Sequence, residues 1–320
     1  MVLLGTAEFA LPVLSALRQS PAFELAGVVS RPPRPAGRGR KLRQPPVARL
    51  TQEMGLPLLQ PERAGDADFL EALRGLEPKV MVCVAYGLYM PGGLLELAPR
   101  GVVNVHPSPL PRHRGAAPIQ RTIMEGCSNT ALCFMLTDTK GWDTGPILRC
   151  YPHEVGPRET AGTLHDSLAA LAGQRVEEVL SGYLSGRIAP TPQQGEPSYA
   201  DKLDKSELLL DWNRSAEELD RSVRALSPWP GARTEFRGAS LKVLSTALSE
   251  APEGPPGTLS LDGEGFPVVR CGSGGLRLER VQPGSKSRMA GTDFLRGYGP
   301  LTGERLGGDS RSEKEAGEKR

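Results

Sequence analysis

The run GVVNVH, residues 101–106, ends in an amide and an imidazole, Asn104 and His106, two positions apart. On a strand, residues i and i+2 point to one face. The two polar groups therefore project together, while Val103 and Val105 turn to the other side. A proline-stiffened loop follows, PSPLPRHRG, residues 107–115. An amide and an imidazole fixed side by side at a stiff strand end suit acyl transfer to an amine. Negative charge grows on the carbonyl oxygen as the amine adds, and preorganised donors stabilise it. A lone Asn or His is most often a satisfied structural hydrogen bond; two on one face before a rigid loop weaken that alternative. A third group lies in DTKGWDTGPIL, residues 138–148, where Asp143 stands between Gly141 and Gly145. Asp-Thr-Gly alone is a turn former, so Asp143 gains a chemical reading only beside Asn104 and His106.

The elements that must position these groups are legible as an alternation. VLLG (2–5), LAGVVS (25–30), KVMVCVA (79–85) and GVVNVH (101–106) are short aliphatic runs. Helical-period segments separate them: EFALPVLSALRQS, PVARLTQEMG, DADFLEALRGL and PGGLLELAP. Such alternation predicts βαβ units and a parallel, Rossmann-like α/β sheet. In an open sheet of that kind ligands bind at the carboxyl ends of the strands, where Asn104 and His106 sit. A further strand, TALCFMLTD (130–138), precedes the Asp143 loop, and a long helix is expected over about 163–183. The turn GTAEFA (5–10) has one glycine where a dinucleotide fingerprint needs three, so it reads as an ordinary strand-to-helix turn.

The expected organisation is a first domain over 1–186, an interdomain linker over 187–205, a small oligomer-binding-type β-barrel domain over 206–302 and a disordered polar tail over 303–320. The second domain opens with a helix, SAEELDRSVRAL, whose Ser215 and Glu218 form a capping-box pattern. Short strands follow at barrel-like spacing: ARTEF, LKVLSTAL, GTLSL, FPVVRC and LRLERVQ.

Composition narrows the remaining classes. The 320 residues are 38% apolar and 24% charged, with a net charge of +2, so nucleic-acid affinity would have to come from a local patch. One such patch is RPPRPAGRGRKLRQPP, residues 31–46. It carries Arg31, Arg34, Arg38, Arg40, Lys41 and Arg43 without an acidic residue. A solvated surface loop is the usual explanation of a charge run. Its position after the second strand, at the sheet end that carries Asn104, suits phosphate contacts. Lys202, Lys205, Arg214, Arg221 and Arg224 are weaker candidates for extending it. The five cysteines are odd in number and form no C-x-x-C pair, so neither structural zinc nor a disulfide framework is expected, and Cys83 reads as a buried small hydrophobe. No apolar run approaches a membrane span and no basic leader precedes the first strand. A reduced, cytoplasmic protein is expected.

NVHPSPLPRHRGAAPIQR, with GWDTGPIL, VAYG and RPAGRGRKL, resembles the methionyl-tRNA formyltransferases, with the motifs in that family's order over nearly the whole chain. The resemblance implies a Rossmann-like formyltransferase domain followed by a small barrel domain. It implies transfer of a formyl group from 10-formyltetrahydrofolate to the methionine amine of initiator methionyl-tRNA, by a monomer that needs no metal. It further implies Asn104, His106 and Asp143 as the catalytic trio, Ser108, Pro109, Leu110, Pro111 and Tyr86 as folate-site residues, and Arg34, Arg38, Arg40 and Lys41 as tRNA contacts. Pro107, Pro109, His113 and Trp142 depart from residues frequent in the family, which bears on folate packing and leaves the trio intact. The rivals are formyl transfer to glycinamide ribonucleotide, to an amino-sugar nucleotide, or a catalytically idle RNA-binding protein. The basic loop and second domain weigh against the first, and the intact trio against the last.

Overall fold

Seven strands make the first sheet: β1 (Val2–Gly5), β2 (Gly27–Val29), β3 (Leu58–Leu59), β4 (Met81–Val84), β5 (Val102–His106), β6 (Asn129–Leu136) and β7 (Ile147–Glu154). Their spatial order is β7-β6-β5-β4-β1-β2-β3. The computed structural model describes residues 1–36, 39, 41–299 and 302–307. From β3 to β5 all neighbours are parallel, and β6 and β7 are added antiparallel on the β5 side. The strand order reverses between β1 and β4, the switch point of a doubly wound sheet.

The parallel strands carry helices in their crossovers, among them Leu11–Gln19, Pro46–Glu53 and Ala67–Gly75. Such strands are covered on both faces, which explains why β1, β2 and β4 are buried at every position. Thr6, in the turn after β1, donates its hydroxyl to the Tyr86 carbonyl at 2.7 Å and accepts from the Arg31 N–H at 3.3 Å. That turn thus staples three strand ends, in keeping with its reading as a structural turn.

The wholly parallel expectation is modified at the edge. β7 was not expected, because ILRCYPHE contains a proline and alternates poorly; an edge strand tolerates proline. The cysteine expectation is corrected as well. Cys133 on β6 lies opposite Cys150 on β7, their Cα atoms 4.1 Å apart, and the two form a disulfide. They are 17 positions apart in sequence, and the register of the hairpin brings them face to face.

The chain divides into two compact units. The first holds Met1–Pro118, Asn129–Glu154 and Leu164–Asp201, and so runs past the boundary expected at 186. The second takes in Ile119–Ser128 and Val155–Thr163 with the chain from Lys202 onward. In it, Ala232–Phe236, Ala239–Ser249, Gly275–Pro283, Pro267–Arg270 and Leu259–Leu261 form an antiparallel sheet in that order, with Met289–Ala290 on Gly275–Pro283. Helix Ala216–Ala225 begins at Ser215 with the full capping box and packs Leu219 and Val223 into this unit's core. The expected tail starts too early: Gly303 and Leu306 donate backbone hydrogen bonds to Leu259 and Gly257, and Leu306 is buried. The remainder of the expected tail, from 308, lies outside the described residues.

Candidate active site

β5 ends at the carboxyl edge of the sheet, and its register fixes the neighbours of both polar residues. Asn104 is flanked by Cys83 on β4 and Met135 on β6, and His106 by Cys133. Asn104 is half-buried and His106 is buried. Asp143 belongs to the connection between β6 and β7, which returns its carboxylate to the end of β5.

The contacts between the three are specific. Asn104 donates its Nδ2 to Asp143 Oδ1 at 3.1 Å. The Gly115 N–H donates to Asp143 Oδ2 at 2.9 Å, and His106 Nδ1 lies 3.6 Å from that same oxygen. His106 Nε2 is 3.0 Å from the His113 carbonyl. A carbonyl only accepts, so this contact puts a proton on Nε2. The other ring nitrogen, Nδ1, faces Asp143. Asn104 has two amide hydrogens, and the contact with Asp143 uses one.

Two loop residues hold left-handed backbone with φ > 0, His113 (φ 56°) and Asp143 (φ 53°). A residue with a Cβ avoids this region unless its surroundings impose it. At Gly145 a Cβ would fall 1.7 Å from the Leu136 carbonyl oxygen, so only glycine fits there. Burial pushes the Cys83 thiol up to about 12, with the Asp143 carboxylate adding to the effect, so beside Asn104 it is a protonated neutral wall.

The loop after β5 turns on itself. Ser108 is buried and donates its hydroxyl to the Arg112 carbonyl at 2.7 Å; Leu110 packs with Cys133 and Met135; a cis bond joins Leu110 to Pro111. Tyr86 is in the sheet core, where burial raises the pKa of its hydroxyl, and that oxygen has no hydrogen-bond partner among the described residues. Trp142 is exposed and meets Tyr89 edge to face, 6.2 Å between ring centroids.

The basic loop folds as a hairpin, Arg34–Ala36 against Lys41–Arg43, beyond the carboxyl end of β2. Lys41 and Arg43 are exposed, and Arg34 stands 3.9 Å from Glu62 in an exposed pair. Arg38 and Arg40 lie outside the described residues. Three of the weaker candidates are engaged within their own unit: Arg214 pairs with Glu218, Arg224 with Asp220, and Arg221 donates to the Met124 carbonyl.

Sequence reasoning missed the residues that lock the site. Gly115, Ser198 and Gln193 each hydrogen-bond to the loops that meet at the end of β5. The last two belong to the segment expected as a plain linker, and their polarity among prolines was the only signal.

A doubly wound sheet with an antiparallel edge and an antiparallel second unit make up a chain that two formyl transferase family models match. The family model described as formyl transferase matches residues 1–180, and the one described as formyl transferase, C-terminal domain, matches residues 202–299. The methionyl-tRNA formyltransferase of Roseobacter denitrificans is 42% identical over 298 residues, 93% of this chain and 95% of that protein. That of Methylococcus capsulatus is 42% identical over 309 residues, 96% of this chain and 99% of that protein. The chain belongs to the methionyl-tRNA formyltransferase family. Solved structures share the fold at low identity. WlaRD, a sugar 3N-formyl transferase, has a TM-score of 0.63 at 13% identity, covering 89% of this chain and 98% of its own. HypX from Aquifex aeolicus, in complex with tetrahydrofolic acid, has 0.58 at 18%, covering 78% and 44%. Among the described residues no helix is long and apolar enough to cross a membrane.

Proposed function

We propose that the chain transfers the formyl group of 10-formyltetrahydrofolate to the methionine α-amine of initiator methionyl-tRNA, in the cytoplasm and as a monomer. The observation that carries this reading is near-full-length identity of about 40% to methionyl-tRNA formyltransferases, joined to an amide with a donor to spare at the end of β5. The amine attacks the formyl carbon, a C–N bond forms, and charge collects on the formyl oxygen. The second Nδ2 hydrogen of Asn104 is assigned to that oxygen. Asp143 fixes the amide by accepting its first hydrogen. As the bond between the formyl carbon and the folate nitrogen breaks, that nitrogen gains a proton and the attacking amine has lost one. The Nδ1 edge of His106, facing Asp143, is where this proton can be held in transit. An α-amine titrates near ~8, so a useful fraction is neutral at physiological pH and no strong base is required.

The loop at 107–115 and the ring of Tyr86 are assigned to the folate side. With Ser108 and Leu110 buried, they act by holding the loop's shape more than by direct polar contact. Arg34, Arg38, Arg40 and Lys41 are assigned to tRNA phosphates. The test offers the enzyme charged initiator tRNA, free methionine and amino-sugar nucleotides with one formyl donor. Formylation of the charged tRNA alone is expected. Faster transfer to a small amine overturns the acceptor assignment. In the same preparation, Lys41→Ala should make the log–log salt dependence of tRNA binding shallower by ~1; an unchanged slope removes Lys41 from the RNA contact.

A further inference from the structure

Gln193 lies in PTPQQGEPSYA, residues 190–200, and is half-buried in an otherwise mostly exposed segment. Its carboxamide is fully engaged. Nε2 donates to the carbonyls of Asp143 and Gly145, each at 2.8 Å. Oε1 accepts from Nε and Nη2 of Arg114 at 3.1 and 2.6 Å. The orientation of the amide follows from chemistry, because carbonyls only accept and a guanidinium only donates. Every hydrogen and lone pair of this group therefore points at a loop of the candidate site.

The segment around it is held along its length. Thr191 exchanges two backbone hydrogen bonds of 2.8 Å with Ile147 at the start of β7. Ser198 accepts from the His113 N–H through its hydroxyl and from the Arg114 N–H through its carbonyl, both at 2.9 Å. Tyr199–Ala200 then runs parallel to Arg114–Gly115. This strap lies against both chain segments that converge on the Asp143 carboxylate, namely the Asp143 turn and Gly115. The turn itself needs holding, since Asp143 adopts φ 53° and a side chain with a Cβ disfavours that region. Asp143 and Gly145 present their carbonyls side by side to a single donor nitrogen, and Gln193 supplies it.

We propose that Gln193 is a positioning residue for formyl transfer. It fastens the left-handed Asp143 turn to the strand at Arg114, so that the carboxylate keeps its hold on Asn104 and Gly115. The inference rests on the reading of Asp143 as part of the reacting site. Displacement of a reacting constellation by about 1 Å costs on the order of 10²-fold in rate, which sets the scale.

The test is a double-mutant cycle on the full-length enzyme with Gln193→Ala and Asp143→Asn, reading kcat, both KM values and Tm. Gln193→Ala should lower kcat by about 10- to 100-fold with each KM within about threefold. In the Asp143→Asn background the same change should cost less than about threefold, because the group it positions is already lost. Gln193→Glu is the companion variant: it matches in size, keeps the acceptor for Arg114 and turns lone pairs toward two carbonyls. It should be as slow as Gln193→Ala, and it carries the cycle if the alanine variant does not fold. Wild-type kcat in the Gln193 variants, or costs that add independently of Asp143, overturn the positioning role. If Asp143→Asn alone turns over at the wild-type rate, the reading of Asp143 fails instead, and the two failures are told apart.

Discussion

Asn104 and Asp143 are tied more closely to each other than either is to His106. The geometry makes Asp143 first the acceptor for the Asn104 amide at 3.1 Å, whereas 3.6 Å to His106 Nδ1 is beyond hydrogen-bond range. This has a consequence for Asp143→Asn. The new carboxamide must turn its NH2 toward either the Asn104 amide or the Gly115 N–H, which sets donor against donor. The variant should bind folate and lose on the order of 10²-fold in turnover, the scale of one misaligned oxyanion donor. Measured folate affinity and kcat decide it. Loss of both together would make Asp143 a loop former and nothing more.

At the scale of elements, β5 was legible because its chemistry is local: Asn104 and His106 need only strand periodicity to share a face. The capping box at Ser215 was legible for the same reason. β7 was not, because its proline and poor alternation hide the strand; the strap at 190–200 and the ordered turn around Leu306 were not, because each is fixed by partners far away in sequence. Gln193 looks like any polar residue among prolines until Asp143, Gly145 and Arg114 surround it. The Cys133–Cys150 pair is another such case, and it links the two strands midway along the hairpin that carries Asp143. A disulfide closing a loop of this size is worth about 3 kcal/mol in the chain-entropy account. Unfolded, unreduced protein should titrate three thiols, Cys83, Cys127 and Cys271, and reduction should lower Tm. Five thiols before reduction would show the pair unlinked.

Across the whole molecule, each unit buries one thiol, Cys83 in the first and Cys271 in the second. Burial raises both from 9.0 to about 12. A group whose pKa is higher folded than unfolded contributes stability in full below its unfolded value and loses it as pH climbs toward the folded one. The protein should therefore lose stability between pH 9 and 12. The Cys83→Ala, Cys271→Ala double variant should lose less over the part of that range accessible to melting experiments. Parallel Tm curves for the two proteins from pH 8 to 11 would contradict it.

The proposed transfer depends on one atom, the second Nδ2 hydrogen of Asn104, which is assigned to the formyl oxygen. Its most direct test is the single-turnover rate of methionyl-tRNA formylation by Asn104→Ala with both substrates saturating. The rate should fall by ~10²-fold or more, with Tm and folate affinity close to wild type. A folded variant that transfers the formyl group at a near-normal rate would contradict the account.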